Sequence, residues 1–171
     1  PVILRSVPGN YTSNFKNNEI RITFDEFIKL KDISKELIIS PPLKYPPVIT
    51  PLSVSKVLKI KILDTLKDNT TYSFNFGNSI LDNNEGNLFP NYKYVFSTGS
   101  YIDSLYLKGS VIDALLPQTD LPTTLMLHKV DQAYNDSLVY LEKPTYITTT
   151  TDQTNNFEFR NLKEGTYQLI A

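Results

Sequence analysis

Glu19-Ile20-Arg21-Ile22-Thr23-Phe24 sets an apolar side chain at every second position, with charged or hydroxyl residues between. Successive side chains of a strand point to opposite faces, so the stretch predicts a β-strand with one face on a core and the other in water. The pattern recurs. Lys59 and Lys61 separate Leu58, Ile60 and Ile62; Ser73 and Asn75 separate Tyr72, Phe74 and Phe76; Tyr92, Tyr94 and Phe96 line one side of a further run. Between these runs lie Pro8-Gly9-Asn10, Pro41-Pro42, Asp68-Asn69 and Asp82-Asn83-Asn84-Glu85-Gly86-Asn87, built from residues that set turn angles. Helix has room only for about a turn, at Lys31-Asp32-Ile33-Ser34-Lys35-Glu36, because proline, asparagine and β-branched residues interrupt the rest.

The second half carries the same period. Leu105 and Leu107 lead into Gly109, Leu125 and Leu127 alternate, and Phe157 with Phe159 and Tyr167 with Leu169 supply two more runs. A patterned strand ends in small residues at Ser97-Thr98-Gly99-Ser100, and a new pattern begins at about Ser104. The expectation is an all-β chain of two antiparallel β-sandwiches in tandem, residues 1–99 and 103–171. No exact repeat links the halves, which excludes a solenoid.

Composition narrows the function. The 171 residues carry 17 Lys and Arg against 18 Asp and Glu, with no run of like charge, so nothing favours nucleic acid or an anionic lipid surface. Cysteine is absent, which removes disulfides, thiolate metal sites and cysteine nucleophiles together. No stretch approaches the roughly 20 apolar residues that span a bilayer, and Pro1-Val2-Ile3-Leu4 lacks the form of a signal peptide. The chain starts without Met and stops inside the strand-like Tyr167-Gln168-Leu169-Ile170-Ala171. It is expected to be a piece of something longer, with targeting signals outside it and the last strand of the second sandwich missing. That edge would be covered by residues beyond Ala171 or by a partner chain.

Catalytic constellations are not evident. His128, the single histidine, would sit beside Met126 opposite Leu125 and Leu127, as a surface or half-buried residue without ligand partners at zinc spacing. A serine nucleophile would have only that histidine as base, and no Gly-x-Ser-x-Gly turn presents one. The carboxylate pairs Asp25-Glu26 and Asp82 with Glu85 could serve glycoside hydrolysis if held across a cleft, but turn-making and solvation are the preferred roles. Asp82 and Glu85 are also the candidates for a calcium site; the loop lacks EF-hand spacing, and turn chemistry with Gly86 at positive φ explains it more simply. No cofactor is expected. Of the 11 Tyr and 9 Phe, most fall at strand alternation, while Tyr45, Tyr101 and Tyr134 fall in loops and would mark a contact surface.

Ile20-Arg21-Ile22-Thr23-Phe24-Asp25-Glu26, Leu37-Ile38-Ile39-Ser40-Pro41-Pro42, Asn69-Thr70-Thr71-Tyr72-Ser73-Phe74-Asn75-Phe76 and Tyr94-Val95-Phe96-Ser97-Thr98-Gly99 follow each other in an order that resembles the bacterial Ig-like domain of surface-layer proteins, over about residues 1–99. Leu107-Lys108-Gly109-Ser110-Val111-Ile112-Asp113-Ala114, with Thr151-Asp152 through Asn156-Phe157-Glu158-Phe159-Arg160-Asn161-Leu162-Lys163-Glu164-Gly165-Thr166-Tyr167, resembles the carboxypeptidase-regulatory or transthyretin-like sandwich. Where that family has Gly before the Phe-x-Phe strand this chain has Asn155, which also tolerates a left-handed backbone. The pairing resembles envelope lipoproteins of the Bacteroidota. It implies a non-catalytic structural or docking module at the outer membrane or cell surface, with an envelope protein as partner, or else a glycan-binding or adhesion module. The resemblance further implies O-glycosylation at Asp-Ser/Thr-apolar triplets, that is at Thr65, Ser104 and Ser137 in Asp64-Thr65-Leu66, Asp103-Ser104-Leu105 and Asp136-Ser137-Leu138.

Overall fold

The computed structural model describes residues 1–112, 122–131, 134–135, 137–150 and 155–171. Among them the chain is all-β, with several antiparallel strand pairs and two one-turn helices. It divides into two compact units, residues 1–39 with 43–102, and residues 40–42 with 103–171.

The first unit contains β1 (Ile3–Val7), β2 (Glu19–Leu30), the helix α1 (Ile33–Glu36), β3 (Ile38–Ser40), β4 (Val48–Thr50), β5 (Val54–Lys61), β6 (Thr71–Asn75), β7 (Ile80–Asp82) and β8 (Lys93–Ser97). One sheet runs β1-β2-β5-β4, with β7 also on β2; a second runs β3-β6-β8. Ile20, Ile22 and Phe24 of β2 and Leu58 and Ile60 of β5 share one core with Tyr72 and Phe74 of β6 and Tyr94 and Phe96 of β8. The alternation of the sequence thus gives each sheet its dry face. Cross-strand partners Tyr72 and Phe96 stack at 5.5 Å between ring centroids, and Phe15 closes on the same Phe96 at 4.0 Å. Tyr92, just before β8, is half-buried and stacks on Phe76 at 5.8 Å; burial pushes its phenol up to about 12.

An open sheet edge invites foreign strands, and β8 does not leave one bare. The Tyr11 and Phe15 amides donate to the Val95 and Ser97 carbonyls, and the Val95 amide donates to Oδ1 of Asn10 at 2.7 Å. Hence Val95 and Ser97 are buried on the face away from the core.

One expectation needs correction here. Asp25 and Glu26 do not make a turn: they lie inside β2, at a bulge where residues 24–27 stand opposite Lys56 alone, between the pairs Thr23–Val57 and Ile28–Ser55. Past the bulge β2 keeps β5 on one side through Ile28–Ser55 and Lys29–Val54, while on its other side β7 follows β1, through Ile28–Asp82, Lys29–Leu81 and Leu30–Ile80. Polarity suggested a turn, but the apolar phase resumes after it at the buried Ile28.

The second unit contains β9 (Leu105–Ser110), β10 (Thr124–Lys129), the helix α2 (Leu138–Leu141), β11 (Tyr146–Thr149), β12 (Asn156–Leu162) and β13 (Tyr167–Ile170). Its sheets are β11-β10-β13 and β12-β9. Leu125, Leu127, Tyr146, Phe157, Phe159 and Leu162 form the core, with Tyr167 packed against it. Asn155 takes φ 52° ahead of the Phe-x-Phe strand, and Asn161 takes φ 59° at a bulge where residues 160–161 face Tyr106 alone. The Asn161 side chain fixes that bulge, its Nδ2 donating to the Asp103 carbonyl at 2.9 Å. The helix α2 was not expected from sequence; Ser137 starts it, its carbonyl accepting from the Tyr140 amide and its own amide donating to Oδ1 of Asn135. Asp113, Ala114, Asp136, Thr151 and Asp152 lie outside the described residues.

Candidate functional site

The Asp82 loop is built by its own carboxylate. Oδ1 accepts from the amides of Glu85 at 2.6 Å and Gly86 at 3.3 Å, and Oδ2 accepts from the Asn87 amide at 2.7 Å, while Gly86 takes φ 78°. Those bonds, that from Glu85 foremost, hold the Asp82 carboxyl below its ordinary range. Glu85 points elsewhere, its Oε2 accepting from the Asn87 side-chain amide at 2.7 Å. The structure therefore spends the oxygens of Asp82 on closing the turn, and the two acids do not converge as ligands. Among the described residues no group of three or more His, Asp and Glu could hold a metal ion.

His128 is 5 % exposed, so the surface or half-buried position expected for it is corrected. It is paired across the ladder with Gln168, and its Nε2 has no hydrogen-bond partner among the described residues. The alternation assigned its face but not the cover over that face.

Of the three loop tyrosines, Tyr45 and Tyr101 are 51 % and 63 % exposed and Tyr134 is half-buried. The Lys44 ammonium lies over the Tyr45 ring, 5.1 Å from its centroid. Thr65, Ser104 and Ser137 are all exposed, in three separate connections. Thr65 follows Asp64, whose Oδ1 accepts the Thr65 amide at 3.0 Å, and Ser104 stands one residue before β9.

The outer face of the β1-β2-β5-β4 sheet was missed. Its rows follow from the register: Val7, Arg21, Lys59 and Thr50 in one; Arg5, Thr23 and Val57 in the next; Glu19, Lys61 and Val48 in a third. Arg5, Arg21, Lys59 and Lys61 are exposed there. A shallow groove of about 570 Å³ runs over the face, lined by Arg5, Asn17, Glu19, Arg21, Thr23 and Lys59 with two valines. Arg21 Nε donates to Glu19, which holds the Glu19 carboxyl below its ordinary range. No run of like charge betrays this cluster, because the four cations are scattered over three strands in sequence. Only the pairing register brings them together.

The family described as bacterial Ig-like domain matches residues 1–98, more than half of the chain. This chain belongs to that family. No curated protein and no solved structure matches it. Bacterial Ig-like domains occur in surface and extracellular proteins and are generally non-catalytic, so membership points to a surface-associated structural or binding module. The Ig-like domain accounts for residues such as Phe74 and Phe96, which are core, and leaves Tyr45, Tyr101 and the outer sheet face as surface available for contact. Among the described residues no helix is long and apolar enough to cross a membrane.

Proposed function

We propose that this chain is a non-catalytic structural or protein-docking module of an outer-membrane or cell-surface lipoprotein, working within an envelope assembly. In this reading residues 1–99 are the Ig-like domain and residues 103–171 a transthyretin-like sandwich of the kind found beside it in Bacteroidota envelope proteins, with the anchor outside this segment. The observation that carries it is the Ig-like match over residues 1–98. Asn155 at φ 52°, ahead of the Phe-x-Phe strand where the transthyretin-like family has Gly, supports the reading of the second unit. Tyr45, Tyr101 and Tyr134 provide contact surface, and Thr65, Ser104 and Ser137 are acceptors for O-linked glycan.

The test is affinity capture of the full chain with envelope membranes, wild type beside Tyr45→Ser/Tyr101→Ser. A docking module retains a stoichiometric protein partner that the double variant loses. Intact-mass measurement on the natively expressed protein reads the glycan, and Thr65→Ala, Ser104→Ala and Ser137→Ala each remove one increment. A glycan-binding or adhesion module is the second reading, favoured by the cationic groove on the outer sheet face.

A further inference from the structure

Arg21 and Lys59 are direct partners in the β2–β5 ladder, in the middle of the sheet. Like charges placed directly opposite each other repel at Cβ separations near 5 Å and weaken the pairing. Arg5 lies on the same face one row away, and Lys61 follows Lys59 one row on the other side. Arg5, Lys59 and Lys61 form no ion pair among the described residues. Glu19 is the one acid in the groove and is already bound by Arg21; Asp25, further along the same face of β2, is engaged by the Val2 amide at 2.7 Å. A chain whose charges otherwise nearly cancel, 17 against 18, thus sets four cations on a single face whose two acids, Glu19 and Asp25, are already engaged, and tolerates a repulsive pair at its centre.

We propose that this face, centred on Arg5, Arg21 and Lys59, is a binding site for an acidic polysaccharide, a polymer that repeats carboxylates among hydroxyls. Charge complementarity selects the anion. The position selects the polymer: the main-chain groups of β2 and β5 are used by neighbouring strands on both sides, so a bound peptide could add no strand and would keep only side-chain contacts. Asn17 and Thr23, which also line the groove, offer hydroxyl-binding partners. No aromatic side chain lines the groove, so a neutral sugar ring has no platform to stack on and the charge must do the anchoring. The proposal deepens the glycan-binding reading and is independent of protein docking through the loop tyrosines.

The experiment is affinity electrophoresis and calorimetric titration of the full chain with polygalacturonate, dextran and poly-L-glutamate, at low and at physiological salt. Polygalacturonate alone binds, and its affinity falls with salt as the charges are screened. Lys59→Glu lowers that affinity at least about tenfold. The same change puts an acid opposite Arg21 and shifts the melting temperature upward, so lost binding cannot be lost folding. Poly-L-glutamate bound as tightly as polygalacturonate overturns the site as a polysaccharide site, and unchanged affinity in Lys59→Glu overturns its location. Binding of dextran without polygalacturonate sinks the anionic site while the glycan-binding reading stands; no polysaccharide bound at all sinks both.

Discussion

Gly109 and Phe157 are register partners in β9 and β12, and a Cβ built on Gly109 would meet Cζ of Phe157 at 2.7 Å and Cε1 at 2.8 Å. The ring is 7 % exposed and lies against the Gly109 backbone, so the absence of a side chain at Gly109 permits the close approach of an aromatic across the ladder. Gly109→Ala is expected to cost about 1–3 kcal/mol by overpacking, and Gly109→Ala/Phe157→Leu to recover part of that, as read from urea unfolding midpoints. Costs that simply add would show that the two residues do not meet. Asp82 offers a second test at this scale. Its carboxyl is held below the ordinary range by the Glu85, Asn87 and Gly86 amides, so the folded chain releases that proton more readily than the unfolded one. Its contribution to stability is then fully present above the usual carboxylate value, near pH 4, and is lost as pH falls through the lower folded value. Melting temperature followed from pH 6 to pH 3 should fall less steeply in Asp82→Asn than in the wild type. Parallel curves would mean that the carboxylate does not hold the loop.

At the scale of the element, alternation gave the phase of the strands and failed where burial depends on neighbours. Phe74 lies in β6 between β3 and β8 and is fully buried, as its place in the run Tyr72, Phe74, Phe76 requires. Phe74→Ala should cost about 3–5 kcal/mol, because the opposing sheet cannot close over the lost volume. Lys61→Ala, on the wet face of β5, should cost under about 0.5 kcal/mol. Equal costs in chemical denaturation would put the register off by one residue. In β9 the phase is also right, since Leu105 and Leu107 pair with the buried Leu162 and Phe159. Yet Leu105 is 50 % and Leu107 38 % exposed, because β9 pairs with β12 alone among the described strands and has no neighbour to cover its other side. Periodicity names the face; adjacent strands decide how dry it is. The same limit explains His128, whose cover comes from tertiary packing, and the cluster of Arg21 with Lys59, which lie 38 positions apart and meet only through register. Local signals that were complete in themselves were read correctly: Gly86 and Asn155 both take the left-handed backbone that their turn positions require.

On the whole molecule the core is divided unequally. Among the described residues fifteen buried hydrophobic side chains make the core of the first unit and six that of the second. Among the described residues no group of three or more acids or histidine is set to hold a metal ion, and EDTA is expected to leave the melting temperature of the whole chain unchanged; a fall that calcium reverses would point to Asp82 and Glu85. Apolar burial is the main source of stability in a chain without cysteine, and small units bury a smaller share of their surface. The first unit adds interlocked aromatics, Phe15, Tyr72, Phe74 and Tyr94 all contacting the Phe96 ring within 6.2 Å between centroids. Its sheet edge at β8 is tied down by residues 10–15. The second unit ends its two sheets on β9 and β13, each paired on one side only among the described strands, with Leu105, Leu107 and Leu169 exposed. Residues 1–102 expressed alone should therefore unfold in one cooperative transition, with a near-ultraviolet dichroism signal from the packed tyrosines. Residues 103–171 alone should melt at a lower temperature, with a shallower transition and faster amide exchange in β9 and β13 than in β10. A second fragment that outlasts the first on heating would show that the stability of this chain does not follow its buried apolar residues, and would locate it in contacts made by β9 and β13 instead.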